Sequence, residues 1–116
     1  MTMRRFEISA LALCAVFGLS TAVFAAAGNA AMLRRGLVIA QENCGKCHAV
    51  GRAGESPNPK SPPFRHLARK YPLHNLEEAL GEGIVVGHEG MEMPQFRFSA
   101  AQIEALLAYL GSIQRR

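Results

Sequence analysis

Cys44, Cys47 and His48 stand together in the stretch ENCGKCHAV, residues 42–50. Two thiols lie two residues apart, and an imidazole follows the second directly. Three chemistries use such a set: a redox dithiol, half of a structural zinc site, or attachment of a porphyrin through its vinyl groups. A redox pair of this spacing normally rides on a strand–helix junction of an α/β pattern, and no strand pattern surrounds this one. A structural zinc needs four ligands, usually with a second closely spaced pair. His66 and His74 are too far apart for that spacing, and there is no second cysteine pair. A plain disulfide would leave His48 without a role.

The porphyrin reading uses every residue. Each thiol adds across one vinyl group to give a thioether, and the two intervening residues match the separation of the vinyls. His48 is then carried under the iron as a proximal nitrogen ligand, which is the C-x-x-C-H pattern of covalent haem c. Candidates for the sixth ligand are Met91 and Met93, in GHEGMEMPQF, and His66, His74 and His88. Methionine is more often core filler than ligand, yet both methionines sit in a Gly-, Glu- and Pro-rich loop rather than on an amphipathic stripe. A loop-borne thioether opposite the histidine would complete a Met/His pair. Pro94 fixes the chain direction after Met93 and favours it over Met91. His66 and His74 read as surface residues, and Arg65, Arg69 and Lys70 as a solvated face. Glu89 and Glu92 read as loop charges.

The elements that must position this set are helical. Leu33, Leu37, Ala40 and Cys44 lie on one face of a helix ending at the cysteine motif, with Gly36 beside that face. GRAGESPNPKSPP (51–63) is loop. Phe64, Leu67, Ala68 and Tyr71 outline a short amphipathic helix stopped by Pro72. Asn75 and Glu78 suggest a capping box for another short helix, ended by Gly81 and Gly83. In the last segment Ser99 and Gln102 form a capping box, with Phe98 stapling onto Ile103. Ile103, Leu106, Leu107 and Leu110 make the apolar stripe, and Arg115 and Arg116 complement the helix dipole.

The chain has 116 residues and a formal charge of +4, room for one small domain. Residues 1–25 carry Arg4 and Arg5, an apolar run and an alanine-rich boundary, the pattern of a secretory signal cleaved after Ala25. An uncleaved anchor is the alternative, and a lipid-modified Cys14 is disfavoured by the bulky Leu13. Cleavage leaves residues 26–116 as the domain, with Cys44 and Cys47 its only cysteines and a charge of +3. There is no basic block, so a nucleic-acid partner has no support. A domain this small, without tryptophan, needs a bound group in its core.

CGKCH near the mature N-terminus, Met-Pro some 45 residues later, SPPF, LARKYP, GHEGMEMPQFRFS and LLAYL together make the chain resemble the class I monohaem c-type cytochromes of the small bacterial periplasmic kind. The resemblance implies an all-α, small cytochrome c fold, its helices wrapped around one covalently bound haem. Gly36 would then meet the last helix near Tyr109. It also implies haem c and its iron as cofactor, on Cys44 and Cys47, with His48 and Met93 as axial ligands. A proline carbonyl (Pro62, Pro63 or Pro57) would accept the N–H of His48. Phe64, Leu67, Tyr71, Phe96 and Leu110 would bury the haem. The implied activity is one-electron transfer in the periplasm, without enzymatic catalysis, among transient redox partners: a donor dehydrogenase or complex and an acceptor oxidase or reductase. The membrane would be a partner only if the N-terminal segment is retained. The alternative is a c-type subunit of a periplasmic dehydrogenase or sulfur-oxidising complex, and a ligand-binding haem with an open sixth site is a further rival.

Overall fold

Helices make up nearly all the regular structure, in the order α1 (Glu7–Cys44), a 3-10 helix (Phe64–Arg69), α2 (Asn75–Glu82), β1 (Gly87–His88), β2 (Met91–Glu92) and α3 (Ala100–Ile113). The computed structural model describes residues 7–83, 87–88 and 91–115, with side chains over 25–83 and 93–115. The chain falls into two compact units, Met1–Ala31 and Met32–Arg116. The first contributes only the N-terminal part of α1; Arg4 and Arg5 of the expected signal lie outside the described residues. Among the described residues, no helix is long and apolar enough to cross a membrane.

The second unit is all-α, as expected. β1 and β2 pair antiparallel over two residues each, Gly87 with Glu92 and His88 with Met91. A ladder this short carries no sheet core. The core is built by Ile39, Ala40 and Cys44 of α1, Phe64 and Leu67 of the 3-10 helix, and Ala105, Leu106, Tyr109, Leu110 and Ile113 of α3. Every third or fourth residue of α3 from Ile103 to Ile113 is buried, which extends the expected stripe by one turn; Leu107 is only half-buried.

Gly36 explains how α1 and α3 come so close. A Cβ there would overlap the Ala105 carbonyl oxygen and sit 2.6 Å from Tyr109 Cβ. Only a residue without a side chain lets the two backbones approach to that distance. The expected meeting with Tyr109 is therefore found. The glycine is buried at the middle of the α1 contact face rather than beside it, with Ile39 and Ala40 one turn on, while Leu33 and Leu37 are half-buried.

Several local expectations are corrected. The Phe64 segment is a 3-10 helix, entered from Pro63 in extended conformation. Its three-residue period stacks Phe64 over Leu67, so both are buried and Ala68 is exposed. Arg65 is not on a solvated face: it is 7 % exposed, and its Nη1 donates to the Gly54 carbonyl at 2.8 Å. α2 begins one residue earlier than the Asn75 box requires, with His74 at the N-cap and no side-chain cap, and it ends at Gly83, with Gly81 still inside it. The box of α3 is present in full: Ser99 Oγ accepts from the Gln102 N–H, and Gln102 Oε1 accepts from the Ser99 N–H. Arg115 lies beyond the last turn of α3, where its N–H donates to the Arg65 carbonyl and its Nη2 to the Arg52 carbonyl. It ties segments together instead of serving the dipole. Arg116 lies outside the described residues.

Candidate haem site

The C-terminus of α1 delivers Cys44 into the core, where it is 8 % exposed. The chain then turns sharply, with the Cys47 and His48 N–H groups both donating to the Cys44 carbonyl at 3.1 and 3.0 Å. Gly45 permits the turn, since a Cβ there would lie 2.7 Å from the Gln41 carbonyl oxygen. Cys47 emerges exposed, and His48 returns to the interior at 5 % exposure.

The loop that follows fixes this turn from outside. Asn58 N–H donates to the Cys47 carbonyl at 3.1 Å, Ala49 N–H to Ser56 Oγ at 3.0 Å, and Phe64 N–H to the Ala49 carbonyl at 2.9 Å. Tyr109 of α3 donates its hydroxyl to the Val50 carbonyl at 2.8 Å. His48 Nδ1 lies 2.8 Å from the Pro62 carbonyl oxygen. A carbonyl only accepts, so Nδ1 carries the proton and the lone pair of the neutral ring is on Nε2. Of the three prolines expected to serve, Pro62 is the one that does. The Phe64 ring packs against the imidazole with centroids 4.8 Å apart and a tilt of 36°.

Cys44, His48 and Met93 meet along one cleft. An inner lobe of about 660 Å³ is lined by these three with Phe64, Leu67, Tyr71, Phe96 and Leu110, the five residues expected to enclose the haem, and by Leu76, Leu80 and Leu106. An outer lobe of about 640 Å³ shares Cys44, His48, Met93, Pro94 and Phe96 and adds Cys47, Lys46, Lys60 and Ser61. An apolar interior with a polar mouth fits a flat macrocycle whose ring is greasy and whose carboxylates reach water.

The electrostatics argue against the rival redox reading. Burial, with a smaller contribution from Cys47, pushes the Cys44 thiol up to about 11. At neutral pH it is a protonated thiol, poor as a redox nucleophile. Among the described residues no group of three or more His, Cys, Asp and Glu residues is placed to hold a metal ion. Burial also raises the Tyr71 hydroxyl in the inner lobe, so it stays neutral there.

Met93 is half-buried at the junction of the lobes. Of the other candidates, the side chains of Met91 and His88 lie outside the described residues, as do those of Glu89 and Glu92. His66, half-buried, and His74, exposed, do not line the cleft, so the surface reading suits both. The sequence reading did not single out Gly45, Ser56 or Asn58. Gly45 was open to notice as the small residue inside the motif; Ser56 and Asn58 were ordinary loop residues.

A family model described as cytochrome c matches residues 33–114. No curated protein and no solved structure matches the chain. With that match spanning more than half of the sequence, and with the CGKCH turn and apolar cleft that it requires in place, the chain belongs to the cytochrome c family, binding covalent haem c with its iron.

Proposed function

We propose that this cytochrome c is an exported periplasmic one-electron carrier with Cys44 and Cys47 as thioether anchors and His48 and Met93 as axial ligands. What supports the reading above all is that Met93 lines the same cleft as Cys44 and His48, at the junction of its two lobes. When bound, haem c supplies an iron that alternates between Fe(III) and Fe(II). His48 offers Nε2, and its Nδ1–H bond to Pro62 fixes the tautomer and ring orientation and raises the basicity of the ligand nitrogen. Met93 offers a soft thioether, which with histidine favours the reduced state and raises the potential. Phe64, Leu67, Leu106 and Leu110 keep water from the inner lobe and disfavour the additional positive charge of the oxidised state. The buried imidazole and its hydrogen-bonded loop hold one geometry in both states, which keeps reorganisation small.

The finer points belong to the same proposal. Residues 1–25 act as a cleaved leader, the donor and acceptor are transient protein partners, and no substrate is turned over. With two haem propionates the charge of residues 26–116 falls to about +1, so a partner would be steered by local patches rather than by net charge. The test is the response of the reduced holoprotein to carbon monoxide, with the mass of its N-terminus read alongside. A low-spin spectrum indifferent to carbon monoxide, and a chain starting after residue 25, are expected. A spectrum that shifts with carbon monoxide means an open sixth position, and electron carriage would give way to ligand binding.

A further inference from the structure

The last described residues reach back to the 3-10 helix on the histidine side of the cleft, Arg115 by its N–H and Gln114 by its side chain. Gln114 follows α3 directly and is not part of the cleft lining. Its Nε2 donates to the Leu110 carbonyl at 2.7 Å, closing the end of α3, and also to the Phe64 carbonyl at 2.8 Å. Its Oε1 accepts from the Ala68 N–H at 2.8 Å. A single amide therefore spans the 3-10 helix and binds it to α3 with all of its strong directional groups.

The residue so gripped is the one that braces His48. Phe64 is tied at its N–H to Ala49, packs its ring on the imidazole, and lies two residues after the Pro62 carbonyl that accepts from Nδ1. Pro62 and Pro63 have no N–H of their own to donate. Phe64 is thus held at its N–H by Ala49 and at its carbonyl by Gln114. We propose that Gln114 is a positioning residue for His48, acting through Phe64 and Pro62 to hold the Nδ1 hydrogen bond at full strength. This rests on His48 being the iron ligand. Loosening that bond lowers the basicity of the ligand nitrogen, which removes stabilisation from Fe(III) and raises the reduction potential.

Gln114→Met removes all three bonds while keeping charge and approximate volume. Arg115→Ala is the control, since its side chain bonds only the Arg52 carbonyl, away from the cleft. Each full-length holoprotein is studied by voltammetry, thermal unfolding and NMR of the oxidised form, where protons of a ligating ring are displaced by the paramagnetic iron. The expected result is an upward shift of potential and moved His48 ring resonances in Gln114→Met, with both at their wild-type values in Arg115→Ala. If Gln114→Met yields no holoprotein, Gln114→Glu, which keeps the acceptor for Ala68 but loses both donors, must move the same resonances. Lower thermal stability with unchanged potential and His48 resonances would make Gln114 a helix cap and nothing more, overturning the proposal. Wild-type His48 resonances untouched by the iron would overturn the ligand reading itself, a separate failure.

Discussion

His48 and Met93 line the same cleft, but the chain holds them by different means. His48 is 5 % exposed and sits in a web of directional bonds: its own Nδ1 to Pro62, its neighbours Cys47 and Ala49 to Asn58, Ser56 and Phe64. Met93 is half-buried, and the described chain after it is fixed chiefly by packing. Phe96 and Phe98 stack at 5.3 Å and 10°, Phe98 packs on the core, and its N–H donates to the Leu80 carbonyl at 3.0 Å. Hydrogen bonds define an orientation sharply; apolar contacts define a location and tolerate small rotations. The His48 side is thus fixed in orientation, and the Met93 side in location.

Substitutions on the two sides should diverge accordingly. Replacing both Cys44 and Cys47 by alanine is expected to abolish covalent haem altogether, read by haem staining after denaturing electrophoresis. Met93→Ala should retain the stain in full. Covalent haem surviving the double cysteine change would break the comparison at its root.

Stability should differ in the same direction. Phe64→Ala, at a site 6 % exposed beside the imidazole, is expected to cost about 3–5 kcal/mol in denaturant unfolding of the holoprotein. Phe96→Ala, half-buried in the Met93 segment, should cost roughly half as much, since less apolar area is lost. Equal costs would mean that the two sides are packed alike. Gly36→Ala tests the helix crossing beneath the site and is expected to cost about 1–3 kcal/mol through overpacking against Ala105 and Tyr109. The smallest effect is reserved for Ser99→Ala, which removes the cap at the end of the Met93 segment and should cost about 1 kcal/mol. Its reduction potential should stay close to wild type, because the cap acts on α3 and not on Met93.

The two sides also differ in how far they could be read from the sequence. Cys44, Cys47 and His48 were legible because attachment chemistry imposes spacing along the chain. The cap of α3 and its apolar stripe were legible because their partners lie within four residues. The Gly36 contact was anticipated from the resemblance, and its geometry supplies the cause. Pro62 was not separable from Pro57 and Pro63, since the choice depends on how the loop folds back over fourteen residues. Arg65 and Gln114 were misread or unread for a similar reason: an arginine or glutamine that bonds distant carbonyls looks the same in sequence as one in water. The Asn75 box failed because His74 at the N-cap put Asn75 inside the helix. Met93 against Met91 was argued from Pro94 alone, and that choice carries the central claim.

That claim is tested most directly by the near-infrared spectrum of the oxidised holoprotein, where a thioether bound to ferric haem gives a weak charge-transfer band. The account expects the band in the wild type and in Met91→Ala, and its loss in Met93→Ala with a fall in reduction potential. A band that persists in Met93→Ala, or disappears in Met91→Ala, would contradict it and place the sixth ligand elsewhere.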